Sequence, residues 1–327
     1  MPTRQLRGVP IAVAVVAALG MGIGVTVYAA PTSIVAGATA AKPAKRLTPP
    51  GPRVGGCQIF PAENAFNQEI ASAPLHPRSA EIIAHIQSIG AKTIHPDVGS
   101  TFGIPFVVVP PTQALVPVRY DAYGDESDPG PFPIPPNAPV EAGSDGHVLV
   151  LQQQTCQLYE LFVARHEGAG WVAASGARFD LTTGALRPIG WTSADAAGLP
   201  ILPGLVRYDE VAAGHVDHAI RVTFSQTQRG FILPATHFAS SNSDPTLPAM
   251  GMRLRLSAGY NVAALTGQSR VIATAMQRYG LIVADNGSNW FFQGAPDPAW
   301  NDADLNQLKA IPGTAFEVVD TGPVRTG

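Results

Sequence analysis

The stretch His147-Val-Leu-Val-Leu-Gln-Gln-Gln-Thr-Cys-Gln-Leu-Tyr-Glu-Leu-Phe-Val-Ala-Arg-His166 decides the fold class. It holds two short apolar runs, His147–Gln152 and Gln157–His166, joined by a polar turn that carries Cys156. Each run is too short for a stable helix and rich in branched and aromatic residues, so both read as strands. In the second run Leu158, Glu160 and Phe162 share one face, while Leu161 and Val163 occupy the other. Both faces are therefore largely apolar, which marks a central strand.

Working outward, the same composition recurs in Phe102–Pro110, Val116–Asp121, Trp171–Leu181, His218–Ser225, Gly230–Leu233, Met252–Ser257, Leu281–Asp285, Asn289–Gln293 and Phe316–Val319. Gly, Pro and Asn punctuate these runs, and Asn286-Gly287 predicts a two-residue hairpin turn. Helices are fewer. Ser79 would cap one running to Ile89, with Ile82, Ile86 and Ile89 on one face and Gly90 as its stop. Ser269–Tyr279 predicts a second, stopped by Gly280. Asn301-x-x-Asp304 opens a third as a capping box, and Thr192-x-x-Asp195 opens another turn. The expected class is mainly β: a β-sandwich or jelly-roll-like core with a few surface helices, the alternative being an α+β mixed sheet. The proline-rich segment Asp128–Pro136 reads as a stiff extended loop, either a groove wall or a connector.

The N-terminus carries a different pattern. Arg4 and Arg7 precede an apolar run from Pro10 to Ala30 that ends in small residues, the parts of a secretory signal, with Val27-Tyr28-Ala29 or Ala38-Thr39-Ala40 as cleavage site. The alternative is an uncleaved membrane anchor, since the run has about the 20 apolar residues a spanning helix needs. Either way the remainder lies outside the cytoplasm. The expected organisation is a signal segment over residues 1–29, a disordered linker over 30–54, and one globular domain over 55–327.

The net charge is −3, and the first 50 residues carry five basic side chains (Arg4, Arg7, Lys42, Lys45, Arg46) and no acid; −3 less those five leaves −8 for the domain. Such a domain lacks the basic footprint that nucleic acid demands. The two cysteines, Cys57 and Cys156, predict a disulfide in an exported chain. No nucleophile elbow, phosphate loop or dinucleotide fingerprint occurs, so serine hydrolase, kinase and dehydrogenase classes lack support.

Several residue groups could carry chemistry. Glu160, on a strand apolar on both faces, would be desolvated and its pKa raised, as a general acid requires. Asp209 or Glu210 would supply the second carboxylate of a glycosidase pair. Arg207, Tyr208 and Arg221 would hold substrate, and His218 would serve as base; an arginine beside a uronate also suits a polysaccharide lyase. Asp285, Asn289 and Trp290 put amides and aromatic rings at a hairpin tip suited to sugar faces, and Trp191 would extend that surface. Asp121, Asp125, Glu126 and Asp128 form an oxygen-rich loop that would suit a structural Ca²⁺; no other cofactor is expected. The spacing His215-x-x-His218 does not match a zinc motif. These features lead to an extracellular carbohydrate-active enzyme, a glycoside hydrolase or polysaccharide lyase acting on an extracellular or envelope glycan. The alternative is a noncatalytic glycan-binding or cell-envelope protein.

Three segments, Ser127–Pro135, Gly190–Val211 and Ala284–Trp290, resemble a family of secreted bacterial proteins without an assigned function. The resemblance spans about Cys57 to Val319 and implies export and a single domain, but brings no activity or site.

Overall fold

The structure, a computed structural model of the full chain, describes residues 51–326. The expected signal segment and the linker up to residue 50 lie outside these residues. Regular structure begins slightly before the expected boundary, because Arg53–Val54 (β1) pairs with Cys57–Gln58 (β2).

The elements that follow are α1 (Ser79–Ser88), β3 (His95–Asp97), β4 (Phe106–Val109), β5 (Val118–Tyr120), β6 (Val148–Gln152), β7 (Gln157–Phe162), β8 (Arg165–Glu167), β9 (Gly170–Ala173) and β10 (Ser175–Asp180). Then come α2 (Tyr208–Ala212), β11 (Ile220–Phe224), β12 (Arg253–Leu256), α3 (Gly267–Arg278), β13 (Leu281–Asn286), β14 (Phe291–Gln293), α4 (Asp302–Leu305) and β15 (Phe316–Val319). The chain is mainly β with a few short helices, as expected. Beside the β1–β2 pair, the strands form a four-stranded sheet β10-β7-β6-β4, a six-stranded sheet β15-β12-β13-β11-β14-β3 and a three-stranded sheet β5-β9-β8. Four pairings are parallel: β4 with β6, β5 with β9, β11 with β13 and β14 with β3. Parallel pairing is the mark of the mixed-sheet alternative.

Alternation along β6 and β7 explains how two cores form. Leu149, Leu151 and Leu158 point into the larger core, shared with the six-stranded sheet and the helices. Val148, Val150, Tyr159 and Leu161 point the other way, into a smaller core closed by Trp171, Phe132 and Ile134. The central-strand reading of this region thus holds: β7 pairs with β6 on one side and β10 on the other. Phe132 and Ile134 are each 1% exposed, so the proline-rich loop seals a core instead of walling a groove. Burying each such side chain stabilises the fold by about 1.5–3 kcal/mol.

Helix ends follow local chemistry. α1 stops at Ile89, with Gly90 at φ +62°; after α3, Gly280 takes φ +69°, a conformation that costs glycine least. The Asn301 side chain accepts from the Asp304 N–H at the start of α4, as its spacing predicts. The Asn286-Gly287 hairpin does not form: β13 and β14 flank β11 and do not pair with each other, and the positive φ in this stretch falls on Trp290. Gly230–Leu233 contributes two isolated bridges at Phe231, to Met250 and Arg325, and no strand. Thr192–Asp195 is irregular and leads into a turn at Ala196-Ala197, not a helix.

Cys57 and Cys156 are bonded across a sequence separation of 99, tying β2 to the β6–β7 turn. Among the described residues no helix is long and apolar enough to cross a membrane.

Candidate functional site

The period of two along the strands sorts the six-stranded sheet into an apolar face and a polar one. On β11, Val222 and Phe224 enter the core, leaving Arg221 and Thr223 on the opposite face. On β14 Phe292 is buried, while Phe291 and Gln293 are half-exposed; on β3 Pro96 is buried between His95 and Asp97. Strand register lines up the polar members. Asp97 sits opposite Gln293, and Gln293 Oε1 accepts from Arg221 Nη1 at 2.6 Å. A register break between Val222 and Thr223 then brings Asp285 of β13 beside Thr223. Irregularities of this type re-aim side chains next to functional sites.

Two loops cover this face. The segment before β6 supplies Glu141, Asp145 and His147, and the turn after Trp191 supplies Asp195. The result is a polar cavity of about 290 Å³, lined by Asp97, Glu141, Asp145, His147, Arg221 and Asp285 among others. A second cavity of about 350 Å³ adjoins it, with Asp97, Glu141 and Asp145 lining both. These three acids therefore stand at the junction.

The charges divide into two groups. Arg221 is 2% exposed; its Nη2 lies 2.7 Å from Asp195 Oδ2 and 4.0 Å from Asp285 Oδ2, and its Nε has no hydrogen-bond partner. Burial alone would lower the Arg221 pKa, but Asp195 and Asp285 hold it above its usual value. Burial raises the carboxyls of Asp195 and Asp285, with Arg221 opposing the shift. At the junction, burial also raises Asp97, and neighbouring Glu141 and Asp145 add to the shift. Glu141 is held differently. Its carboxylate pairs with His147 Nδ1, while His147 Nε2 lies 2.9 Å from the Ala194 carbonyl. Both ring nitrogens face acceptors, which suits the imidazolium; burial opposes that form, yet the Glu141 contact leaves the pKa raised. One cavity thus contains a carboxyl driven toward protonation beside a carboxylate held by a cation.

Of the residues expected from sequence, Arg221 and Asp285 belong to this cavity. Glu160 lines neither cavity. It is fully buried, its Oε1 accepts from the N–H groups of Ile201 (3.0 Å) and Leu202 (2.9 Å), and burial pushes its pKa to about 7. Glu210, Arg207 and His218 form a separate ion-paired cluster, in which Arg207, with Tyr208 and Asp209, borders another cavity of about 270 Å³. Glu210 accepts from the Arg207 guanidinium and backbone N–H and sits 3.0 Å from His218 Nε2, whose Nδ1 in turn meets the Ala219 carbonyl. Asp209 is exposed, 3.7 Å from Arg207 Nε, and Tyr208 stands edge-on to Trp300.

The expected aromatic tip is also structural. Trp290 is fully buried between Phe224 and Phe316, and buried Asn289 accepts from the Ser225 N–H at 2.7 Å and donates to the Ile86 and Ile89 carbonyls. Trp191 lies 5.6 Å from the Arg187 guanidinium. The acidic loop is dispersed, not gathered around calcium: Asp121 pairs with Arg165, Asp128 with Arg187, Glu126 accepts from the Thr192 N–H, and Asp125 is exposed. Among the described residues no three His, Cys, Asp or Glu side chains are grouped to hold a metal ion.

Asp97, Glu141, Asp145, His147, Asp195 and Gln293 were not expected as site residues from the sequence. Asp195 and Asp285 do fall inside the segments Gly190–Val211 and Ala284–Trp290, the one signal that could have joined them. In comparisons with protein-family models, curated proteins and solved structures, nothing matches this chain.

Proposed function

We propose that the protein is an extracytoplasmic glycoside hydrolase whose acid and base are Asp97 and Glu141. The observation that carries this reading is the opposed treatment of two carboxyls in one polar cavity. Burial and neighbouring acids hold Asp97 toward its protonated form, while His147 pairs with Glu141 as a carboxylate. Pairs of titratable groups whose surroundings drive them apart are the usual basis of acid and base roles. Asp97 would protonate the glycosidic oxygen, and Glu141 would activate water or attack the sugar carbon. Arg221, Gln293 and Asp285 would bind hydroxyls in the adjoining 290 Å³ cavity. A lyase acting on uronates fits less well, because Arg221 is already paired with Asp195 and the remaining charge at the junction is negative. The disulfide fits an oxidising compartment.

The test is incubation with a broad panel of polysaccharides, following reducing ends. Cleavage lost in Glu141→Gln and kept in Glu160→Gln supports the assignment. Cleavage kept in Glu141→Gln refutes the site, and unsaturated products instead of reducing ends would turn the reading to a lyase.

A further inference from the structure

The cavity beside Arg207 does not stand alone. Pro105 and Pro296 line both it and the second cavity, just as Asp97, Glu141 and Asp145 line both the second and the first. Among the described residues the first and third cavities share no lining residue, so the three follow one another in a row. The wall between the second and the third is tightly built. The Ile104 N–H donates to the Gly294 carbonyl at 3.0 Å, and a Cβ at Gly103, where φ is +129°, would lie 2.4 Å from the same oxygen. The segments that carry Pro105 and Pro296 are therefore joined by a contact that only glycine permits. In the third cavity Phe106, on the edge strand β4, and Tyr208 are both half-buried, and the Tyr208 ring stands edge-on to Trp300. Arg207 is 3% exposed and its Nε has no hydrogen-bond partner; Asp209 Oδ1, at 3.7 Å, is too far to accept from it. A buried N–H without an acceptor is costly, so a ligand oxygen that reaches it gains accordingly.

From this we infer that the third cavity is a distal subsite of one continuous cleft, and that the cleft takes an uncharged polysaccharide across at least three units. The cavity volumes, about 290, 350 and 270 Å³, lie near the lower end of those that enclose one small ligand, about 300 Å³. Three in a row match consecutive sugar units. A pyranose presents a C–H face and hydroxyl edges. Phe106, Tyr208 and the two prolines give the face an apolar platform, and Arg207 Nε donates to an edge hydroxyl. Charge selects against acidic polymers. Asp145, Asp209 and Asp297 line the cleft, while Arg207 and Arg221 are already held by Glu210 and Asp195, so a uronate or sulfated chain is repelled. The inference rests on the hydrolase reading for the cleavage step but not for binding.

The experiment is affinity gel electrophoresis of the full protein in hydroxyethyl cellulose, arabinoxylan, galactomannan and polygalacturonate at two salt concentrations. Calorimetry and cleavage assays follow on the disaccharide and hexasaccharide of the polymer that retards it most. At least one neutral polymer retards the protein, indifferent to salt, and polygalacturonate does not. The hexasaccharide binds more tightly than the disaccharide, and Tyr208→Ala lowers that affinity ratio by about three- to tenfold. Arg207→Lys, which keeps a charge for Glu210 but removes the Nε donor, lowers it too. Thermal melting confirms that each variant is folded, and Phe106→Leu, which keeps apolar bulk without the ring, supplies the same test where one is not. Retardation by none of the neutral polymers, retardation that falls with salt, or a ratio that these variants leave unchanged overturns the inference. Length-dependent binding without cleavage keeps the cleft and removes the hydrolase reading. Cleavage with affinity independent of chain length keeps the hydrolase and removes the subsite.

Discussion

Two buried arginines in this protein meet buried carboxylates, and their surroundings differ. Arg207 shares one carboxylate, Glu210, with His218, so two basic side chains converge on one acid. Burial alone would raise Glu210, but Arg207 and His218 together pull its pKa below the usual value. Arg221 stands among Asp195 and Asp285, with Asp97 close by, so acids outnumber bases and all three carboxyls are raised. Arg207 borders a cavity of about 270 Å³ with Tyr208 and Asp209, but Glu210 and His218 behind it contact mainly Arg207 and nearby backbone, whereas Arg221, Asp285 and Asp97 all border one cavity. Matched charge braces the fold. Surplus acid beside open space is what proton transfer requires.

The contrast is sharpest under substitution. Asp97→Asn should reduce kcat on whichever glycan is cut by about 10²–10⁴-fold, the usual contribution of a general acid. Its urea-unfolding midpoint should hold or rise, because an acid repelled by Glu141 is removed. Glu210→Ala should do the reverse. It leaves Arg207 and His218 buried without their acid, costing about 3–5 kcal/mol in unfolding free energy, while activity per folded molecule persists. If Glu210→Ala removed activity with stability intact, the Arg207 cluster would be the catalytic one and the contrast would collapse.

Replacing both Cys57 and Cys156 by Ser tests whether the two clusters share one fold. The bond closes a long loop, so its loss should cost about 2–5 kcal/mol. It touches neither cluster, and kcat measured well below the melting temperature should be retained.

The strands were legible because their period of two survives in the sequence, and β6 and β7 show it on both faces. β3 was not legible: His95-Pro96-Asp97 is three residues with a proline in the middle, and its pairing with β14 is purely tertiary. The hairpin at Asn286-Gly287 failed for a related reason. Its two flanking strands both find β11, a preference no local turn signal encodes. The site was partly legible. Arg221 and Asp285 stood out as polar residues on or beside apolar runs, but their partners come from a Gly-rich loop near residue 143 and a turn near residue 194. Glu160 shows the converse. Its desolvation was readable from the strand pattern, but the backbone N–H groups that satisfy it come from Ile201 and Leu202, 41 and 42 residues away.

Glu160 also gives the smallest and most direct check on the electrostatics. Its carboxyl rises from 4.5 in the unfolded reference to about 7 when folded. The folded state therefore binds the proton more tightly than the unfolded state between those values. Stability should fall as pH rises through that window, by about 3 kcal/mol from this group at about 1.4 kcal/mol per unit. Below the window Glu160 is protonated in both states and contributes no slope; above it the full penalty is present. Glu210 has the opposite sign, since its lowered pKa adds stability that is lost as pH falls through its folded value. Urea unfolding at about pH 5 and about pH 8 should thus show a decline that Glu160→Gln reduces, because the amide retains Oε1 for both N–H donors and cannot ionise. An unchanged decline would move the titration to Asp195, Asp285 and Asp97, and the pH dependence of folding would then belong to the same cavity as the proposed chemistry.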